Sequence, residues 1–334
     1  MNRSIAISAL VLSITALPAA AQNDINLGLL EAEITRLAEE ADGRVGVAAI
    51  HLETGRSVYL NGDEPFPMAS TYKVPIAVQL FSRIEAGEIS LDTMIEIQPH
   101  DLHPGSGTLT SLFDDPGVIL SLRNLVELML LISDNSATDL VLDAAGGADA
   151  VTSKMRSLGL DGINVARPTI GLIGDWLGVY DLGPRDEWTR EGFGARAEAV
   201  SEEDREAAAL AFDSDLQDTA TPRHMAELLK GIWNRELMSE ENSALLVDIM
   251  TRSTTGRNRI RGFLPRGTDV AHKTGTIGRT TNDVGIITLP GEAGHVVTVV
   301  FIKESTIASS SRETVIAHIS RAIYDYFAFN PLGN

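Results

Sequence analysis

Pro67-Met68-Ala69-Ser70-Thr71-Tyr72-Lys73-Val74-Pro75-Ile76 ends a polar segment and opens a mostly apolar run that reaches Ile84. The run reads as a buried helix, with Gly87 just past its end as a stop. Pro75 is tolerated near the start, because first-turn N–H groups have no partner within the helix. Ser70 and Lys73 stand three apart, so on a helix their side chains share a face. That places a hydroxyl at the positive end of the helix, beside an amine able to take its proton. A Ser-x-x-Lys spacing is common by chance, and its weight depends on the motifs further along the chain.

At 334 residues the chain can bury a sizeable core. Residues 1–21 read as an export signal: Arg3 supplies positive charge, Ile5 to Leu17 form a short apolar core, and Ala19-Ala20-Ala21 offers a small-residue cleavage site. The apolar core is too short to span a bilayer, and no later stretch is longer. The expectation is a secreted, periplasmic monomer. With no cysteine there is no disulfide framework. A net charge of −19, from 46 acids against 27 bases, argues against nucleic acid or an anionic membrane surface as partner. His100 and His103 are the only close histidine pair, without metal-ligand spacing around them, so no metal or cofactor is expected.

Residues 25–41 repeat Leu, Ile and Ala at helical spacing. Val45 to Ile50 and Ser57 to Leu60 flank Glu53-Thr54-Gly55 and read as a hairpin. Val284 to Leu289 and His295 to Ile302 read as a second hairpin, and a closing amphipathic helix runs from about Ser311 to Phe327. Both ends therefore contribute strand pairs with a helix beside them, while the middle is mostly helical. The expected fold is α/β of the α+β type: an antiparallel sheet built by both termini with flanking helices, and an inserted all-α subdomain. The sheet part would comprise about 22–66 and 252–334, and the helical part about 67–251.

Within the middle, Ser121 to Ile132 is a helix with Ser121 as N-cap. It stops at Ser133-Asp134-Asn135, and a second helix begins at once. Thr221-Pro222 opens a further helix, and Ser239 to Met250 reads as another. Asp269 to Thr276 has the pattern of a strand, with Gly275 allowing close backbone approach.

Three motifs thus occur in order: Ser70-x-x-Lys73 opening a helix, Ser133-Asp134-Asn135 between helices, and Lys273-Thr274-Gly275 on a strand. That triplet marks class A β-lactamases and penicillin-binding proteins. The chain resembles the class A β-lactamase family from its first hairpin to its last helix. Asp218-Thr219-Ala220-Thr221-Pro222 resembles the segment closing that family's active-site loop, and Thr254 to Arg261 the segment before its Lys-Thr-Gly strand. The resemblance implies Ser70 as nucleophile, Lys73 as its base, Ser133 as proton relay and Lys273 as the partner of Ser133. It implies substrate contacts from Asn135, Thr274, Gly275, Thr276 and Arg259, and an oxyanion hole from the N–H groups of Ser70 and Thr276. The implied substrates are a β-lactam or a D-Ala-D-Ala-like peptide. A penicillin-binding D,D-peptidase and a non-hydrolytic β-lactam-binding protein are the alternatives.

One segment departs from the family. Its hydrolytic members carry a glutamate that activates the deacylating water, whereas the matching segment here is Arg167-Pro168-Thr169-Ile170-Gly171-Leu172-Ile173. Thr169 stands in the glutamate's place and Ile173 in that of an asparagine. The stretch on to Asp218 is longer than the family's loop, with an insertion at about 174–214 that carries Trp176, Trp188 and an acidic helical stretch from Ser201 to Phe212; loops this long are usually lids or disordered. Arg167 and Asp218 are expected to pair. Asp175, Asp181, Asp186 and Glu187 are the acids near enough in sequence to replace the glutamate.

Overall fold

A computed structural model describes residues 19–330, so residues 1–18 of the expected leader lie outside the described residues. Helix α1 (Ala19–Ala38) leads into the hairpin β1 (Arg44–His51) and β2 (Ser57–Leu60), and a two-residue strand β3 (Phe66–Pro67) comes after it. The Ser70 segment is next: a 3₁₀ turn over Ala69–Tyr72 runs into α2 (Lys73–Glu85). The expected helix is therefore α-helical only from Lys73. The tighter first turn serves the chemistry, since residues three apart eclipse each other in a 3₁₀ turn.

The helical middle contains β4 (Met94–Glu96), α3 (Leu109–Leu112), β5 (Ile119–Ser121), α4 (Leu122–Leu131), α5 (Asn135–Ala144) and α6 (Ala148–Ser157). Ser121 caps α4 by accepting from Asn124 N–H, and Asp134 caps α5 by accepting from Ala137 N–H. Beyond it lie α7 (Thr169–Leu177), α8 (Arg190–Ala199), α9 (Glu202–Phe212), β6 (Thr219–Ala220), α10 (Pro222–Trp233) and α11 (Glu240–Thr251). As expected, Thr221 caps α10, with Pro222 in the first position. The chain closes with β7 (Val270–Ile277), β8 (Thr280–Thr288), β9 (His295–Lys303) and α12 (Ser309–Phe329).

Both termini build one antiparallel sheet of order β2-β1-β9-β8-β7, as the sequence implied. Its two faces are both covered, which explains why β1, β8 and β9 are buried at nearly every position. Val45, Val47 and Ala49 face one core with Val300, Ile302, Ile316 and Phe327, the last two from α12. Ala48 and Ile50 face the other core, with Phe301, Leu80, Leu125, Met225 and Leu246. Truncating a fully buried leucine such as Leu125 to alanine would cost about 2–5 kcal/mol. At Gly46 a Cβ would lie 2.4 Å from the Phe66 ring, so only glycine lets β3 pack across β1.

The insertion after Arg167 is not structureless. It folds as α8 and α9, with Phe193, Ala208 and Phe212 buried, and α9 packs on the outer side of α7. Arg279, between β7 and β8, donates from Nε to Asp213 at 2.7 Å and ties the insertion down. Among the described residues no helix is long and apolar enough to cross a membrane.

Candidate active site

The three motifs meet at one cleft of about 320 Å³ whose wall includes Ser70, Asn135, Thr169 and Thr276. Ser70 projects from the 3₁₀ turn, and Ala69 before it holds φ +45°. A non-glycine residue in that region is strained, and the strain is tolerated because its neighbours fix the backbone. Asn282, fully buried in β8, donates from Nδ2 to the carbonyls of Pro67 (2.8 Å) and Met68 (3.0 Å). Gly275 closes the other side. A Cβ there would stand 2.5 Å from Met68 O and 3.0 Å from Ser70 N, so the strand reaches Ser70 only as glycine. Ser70 and Thr276 both line the cleft there.

Ser133 also has positive φ, +60°, at the knuckle between α4 and α5. Its hydroxyl sits between two amines: Lys73 Nζ donates to it at 3.1 Å and Lys273 Nζ at 2.9 Å. Lys73 also donates to Ser133 O (2.7 Å) and Asn135 Oδ1 (3.1 Å), and Lys273 to Thr274 O (2.8 Å). Both lysines are completely buried. Burial pushes Lys73 down to about 7, against the opposing pull of Asp134 and Asp139. Burial, with the positive charge of Lys73 and Arg259 added, takes Lys273 well below the ordinary lysine value. Desolvation is thus the main cause at both lysines.

Asn135 donates from Nδ2 to Pro104 O at 3.1 Å, and Asp134 accepts from Thr108 and Leu109 N–H. Together they hold the 103–109 loop as the cleft's far rim. Thr274 shares a hydrogen bond with Thr255 (Oγ1 to Oγ1, 2.8 Å), while Thr276 is exposed on the rim. Arg259 is 7% exposed and does not lie on the surface. Its Nε donates to Glu313 (3.0 Å), its Nη1 to the carbonyls of Gly275 (3.0 Å) and Asn282 (2.8 Å), and its Nη2 to Thr276 Oγ1 (2.6 Å). It reaches the cleft through the Thr276 hydroxyl.

Arg167 and Asp218 pair across the neck of the loop, Nε to Oδ2 at 2.7 Å. Arg167 also pairs with Asp175 and with Asp215. Asp175 thereby faces away from Ser70, into a separate cavity. Asp181 accepts from Gly183 N–H, Glu187 pairs with Arg196, and Asp186 is exposed. None of the four acids lines the cleft.

Three residues that the sequence reading did not single out shape this side. Asp139 on α5 accepts from the N–H groups of Thr169 (2.6 Å) and Ile170 (3.1 Å), so a carboxylate from another helix caps α7. Its other contact is His103 Nε2 at 3.0 Å. Burial would raise the Asp139 carboxyl, but the hydrogen bonds from His103 and Thr169 outweigh it and hold the group below its usual value. Tyr72 sits beneath, its hydroxyl paired with the Thr169 hydroxyl. Burial and the charge of Asp139 push the phenol well above its ordinary value, so it stays protonated. Trp176 closes the end of the cleft over Gly278, where a Cβ would lie 2.6 Å from its Nε1. A sequence signal existed for Asp139, four residues after Asn135 and so on the same helical face.

Comparison with known proteins agrees with this geometry. The sequence matches the family described as "Beta-lactamase enzyme family" over residues 29–327. Beta-lactamase VEB-1 of Pseudomonas aeruginosa is 29% identical over 89% of this chain and 90% of its own length. The solved structure of a beta-lactamase from Chitinophaga pinensis superposes with a TM-score of 0.73 at 30% identity, covering 89% of this chain and 98% of that one. An ancestral beta-lactamase described as class A gives 0.72 at 29% identity, over 89% and 99%. With the fold, the three motifs and these relatives in agreement, the chain belongs to the beta-lactamase enzyme family.

Proposed function

We propose that this protein is an exported, periplasmic serine hydrolase that opens β-lactam rings through an acyl-enzyme on Ser70, and that residues 22–334 form its catalytic unit. The observation that carries this reading is the Ser133 hydroxyl held between Lys73 and Lys273, with Ser70 on the wall of the cleft. Lys73, depressed to about 7, is substantially unprotonated near neutrality and can take the proton of Ser70 as its Oγ attacks the lactam carbonyl. The N–H groups of Ser70 and Thr276 receive the developing oxyanion. Ser133 gives its proton to the departing nitrogen and is resupplied through the amines. Lys273, Thr274 and Thr276 hold the substrate carboxylate, Asn135 binds the side-chain amide, and Arg259 keeps Thr276 in position.

Release of the acyl group is the slow half, because Thr169 cannot act as a base and no carboxylate among the described residues lines the cleft. The relatives are named β-lactamases, and neither the D,D-peptidase nor the non-hydrolytic alternative gains support from them. Turnover of nitrocefin by the unaltered protein, lost in Ser70→Ala, tests the reading. Unchanged turnover in that variant would refute it.

A further inference from the structure

The wall opposite the lysines is largely apolar and lacks a carboxylate among the described residues, yet it offers one hydroxyl pair. Thr169 and Tyr72 both line the cleft and hydrogen-bond to each other. Two hydroxyls that share one bond keep lone pairs free to accept, and the Thr169 hydroxyl also lies within reach of the Asp139 carboxylate. Tyr72 stays protonated, and the Thr169 backbone is fixed by Asp139 at 2.6 Å, so the pair has a defined place. Around the pair, Leu172, Ile173 and Trp176 face the cleft, and a Cβ on Gly105 would lie 3.5 Å from Ile173 Cδ1. A water entering there has the Tyr72–Thr169 pair as its natural partner on this side.

That water also needs a base. Asp139 is spent on two N–H groups and His103. Lys73 is the remaining group. Lys73 has three oxygen neighbours, so as a neutral amine it donates to two of them and turns its lone pair toward the third; Ser133 Oγ also accepts from Lys273, which leaves Lys73 able to turn that lone pair to an incoming proton. The charged groups facing it are Asp134 and Asp139 from α5 and its capping turn, and Lys273 from β7.

We propose that the Tyr72–Thr169 hydroxyl pair positions the water that hydrolyses the acyl-enzyme, and that Lys73 takes its proton. This rests on the reading of Ser70 as the acylated nucleophile. The water oxygen bonds to the ester carbonyl carbon as one of its protons passes to Lys73 Nζ. The carbonyl carbon–Oγ bond then breaks, and Lys73 returns the proton to Ser70 Oγ, leaving the free acid and the resting serine. One base thus serves both halves, in sequence.

The test is to form the penicillin adduct, remove free penicillin, and follow its loss by intact-protein mass spectrometry between pH 5 and pH 9. Deacylation by Lys73 should rise about tenfold per pH unit below 7 and level off above it, as the neutral amine accumulates. Thr169→Val and Tyr72→Phe should slow deacylation about three- to tenfold more than acylation, with Thr169→Ser retaining the rate. A profile already flat from pH 5 would assign the step to a carboxylate and overturn the proposal. Deacylation unchanged in both variants would equally remove the hydroxyl pair from its role. If either variant fails to fold, the pH profile of the unaltered protein decides. Absence of any adduct or turnover at every pH would instead overturn the acyl-enzyme reading beneath it.

Discussion

The two walls of the cleft are built by different physical means. On the acylation wall, two fully buried lysines converge on Ser133, and every amine has oxygen acceptors at 2.7–3.1 Å. On the opposite wall, an apolar helix presents Leu172, Ile173 and Trp176, with Thr169 as its only polar side chain toward the cleft. The first wall holds charge where a reaction needs it. The second keeps its carboxylates out of reach: Asp139 supports the helix from behind, while Asp175 faces Arg167. The halves of a two-step reaction can thus be equipped independently on one scaffold.

That contrast can be broken at several points. The largest effect should come from Ser70→Ala, which removes the nucleophile and should abolish covalent labelling by a fluorescent penicillin. Labelling that persists would mean the acylation wall has another nucleophile. Next, Lys73→Ala should slow acylation by roughly 10²–10⁴-fold, the usual contribution of a positioned base, read by stopped-flow. In the unaltered protein acylation should fall as pH drops below about 7, because Lys73 then holds its proton. A rate independent of pH from 5 to 8 would remove it from that role.

On the other wall, Arg167→Ala leaves Asp218, 2% exposed, as an uncompensated buried charge. It should destabilise the fold by about 3–5 kcal/mol in urea unfolding, while a surface pair such as Arg252–Asp248 should contribute at most about 1 kcal/mol. Equal small losses would show that the neck is not held by this pair. A smaller effect than at Arg167 is expected at Arg259. Arg259→Ala should lower kcat/KM by about 1.5–3 kcal/mol, and by much less for an ester analogue lacking the carboxylate, since the guanidinium acts through Thr276. Equal losses for both substrates would make it purely structural.

Much of the acylation wall was legible in the sequence, because its residues fall at fixed spacings on strongly patterned elements. Ser70 and Lys73 open an apolar helix, Ser133 comes directly after one with a clear cap, and Lys273 lies on a strand. The hairpins at both ends likewise announced the antiparallel sheet. The other wall was less legible. Asp139 caps α7 across 30 residues, and Asn282 holds Pro67 and Met68 across more than 200, so neither bond leaves a local pattern. The strained φ values at Ala69, Ser133 and Asp218 are likewise imposed by tertiary contacts, since nothing in an alanine or serine announces them. Within the insertion the helical stretch from Ser201 to Phe212 was legible and is α9, whereas α8 was not, because it has little apolar periodicity. The insertion's order comes from packing on α7 and from Asp213 meeting Arg279.

The most direct test of the difference between the walls is a rapid-mixing experiment with a penicillin at neutral pH, read by intact-protein mass. An acylation wall that is complete, facing a wall without a carboxylate base, should give a stoichiometric burst, then slow turnover, with the Ser70 adduct still visible minutes after mixing. Steady turnover at ordinary enzyme rates from the first cycle, with no burst and no adduct, would contradict it.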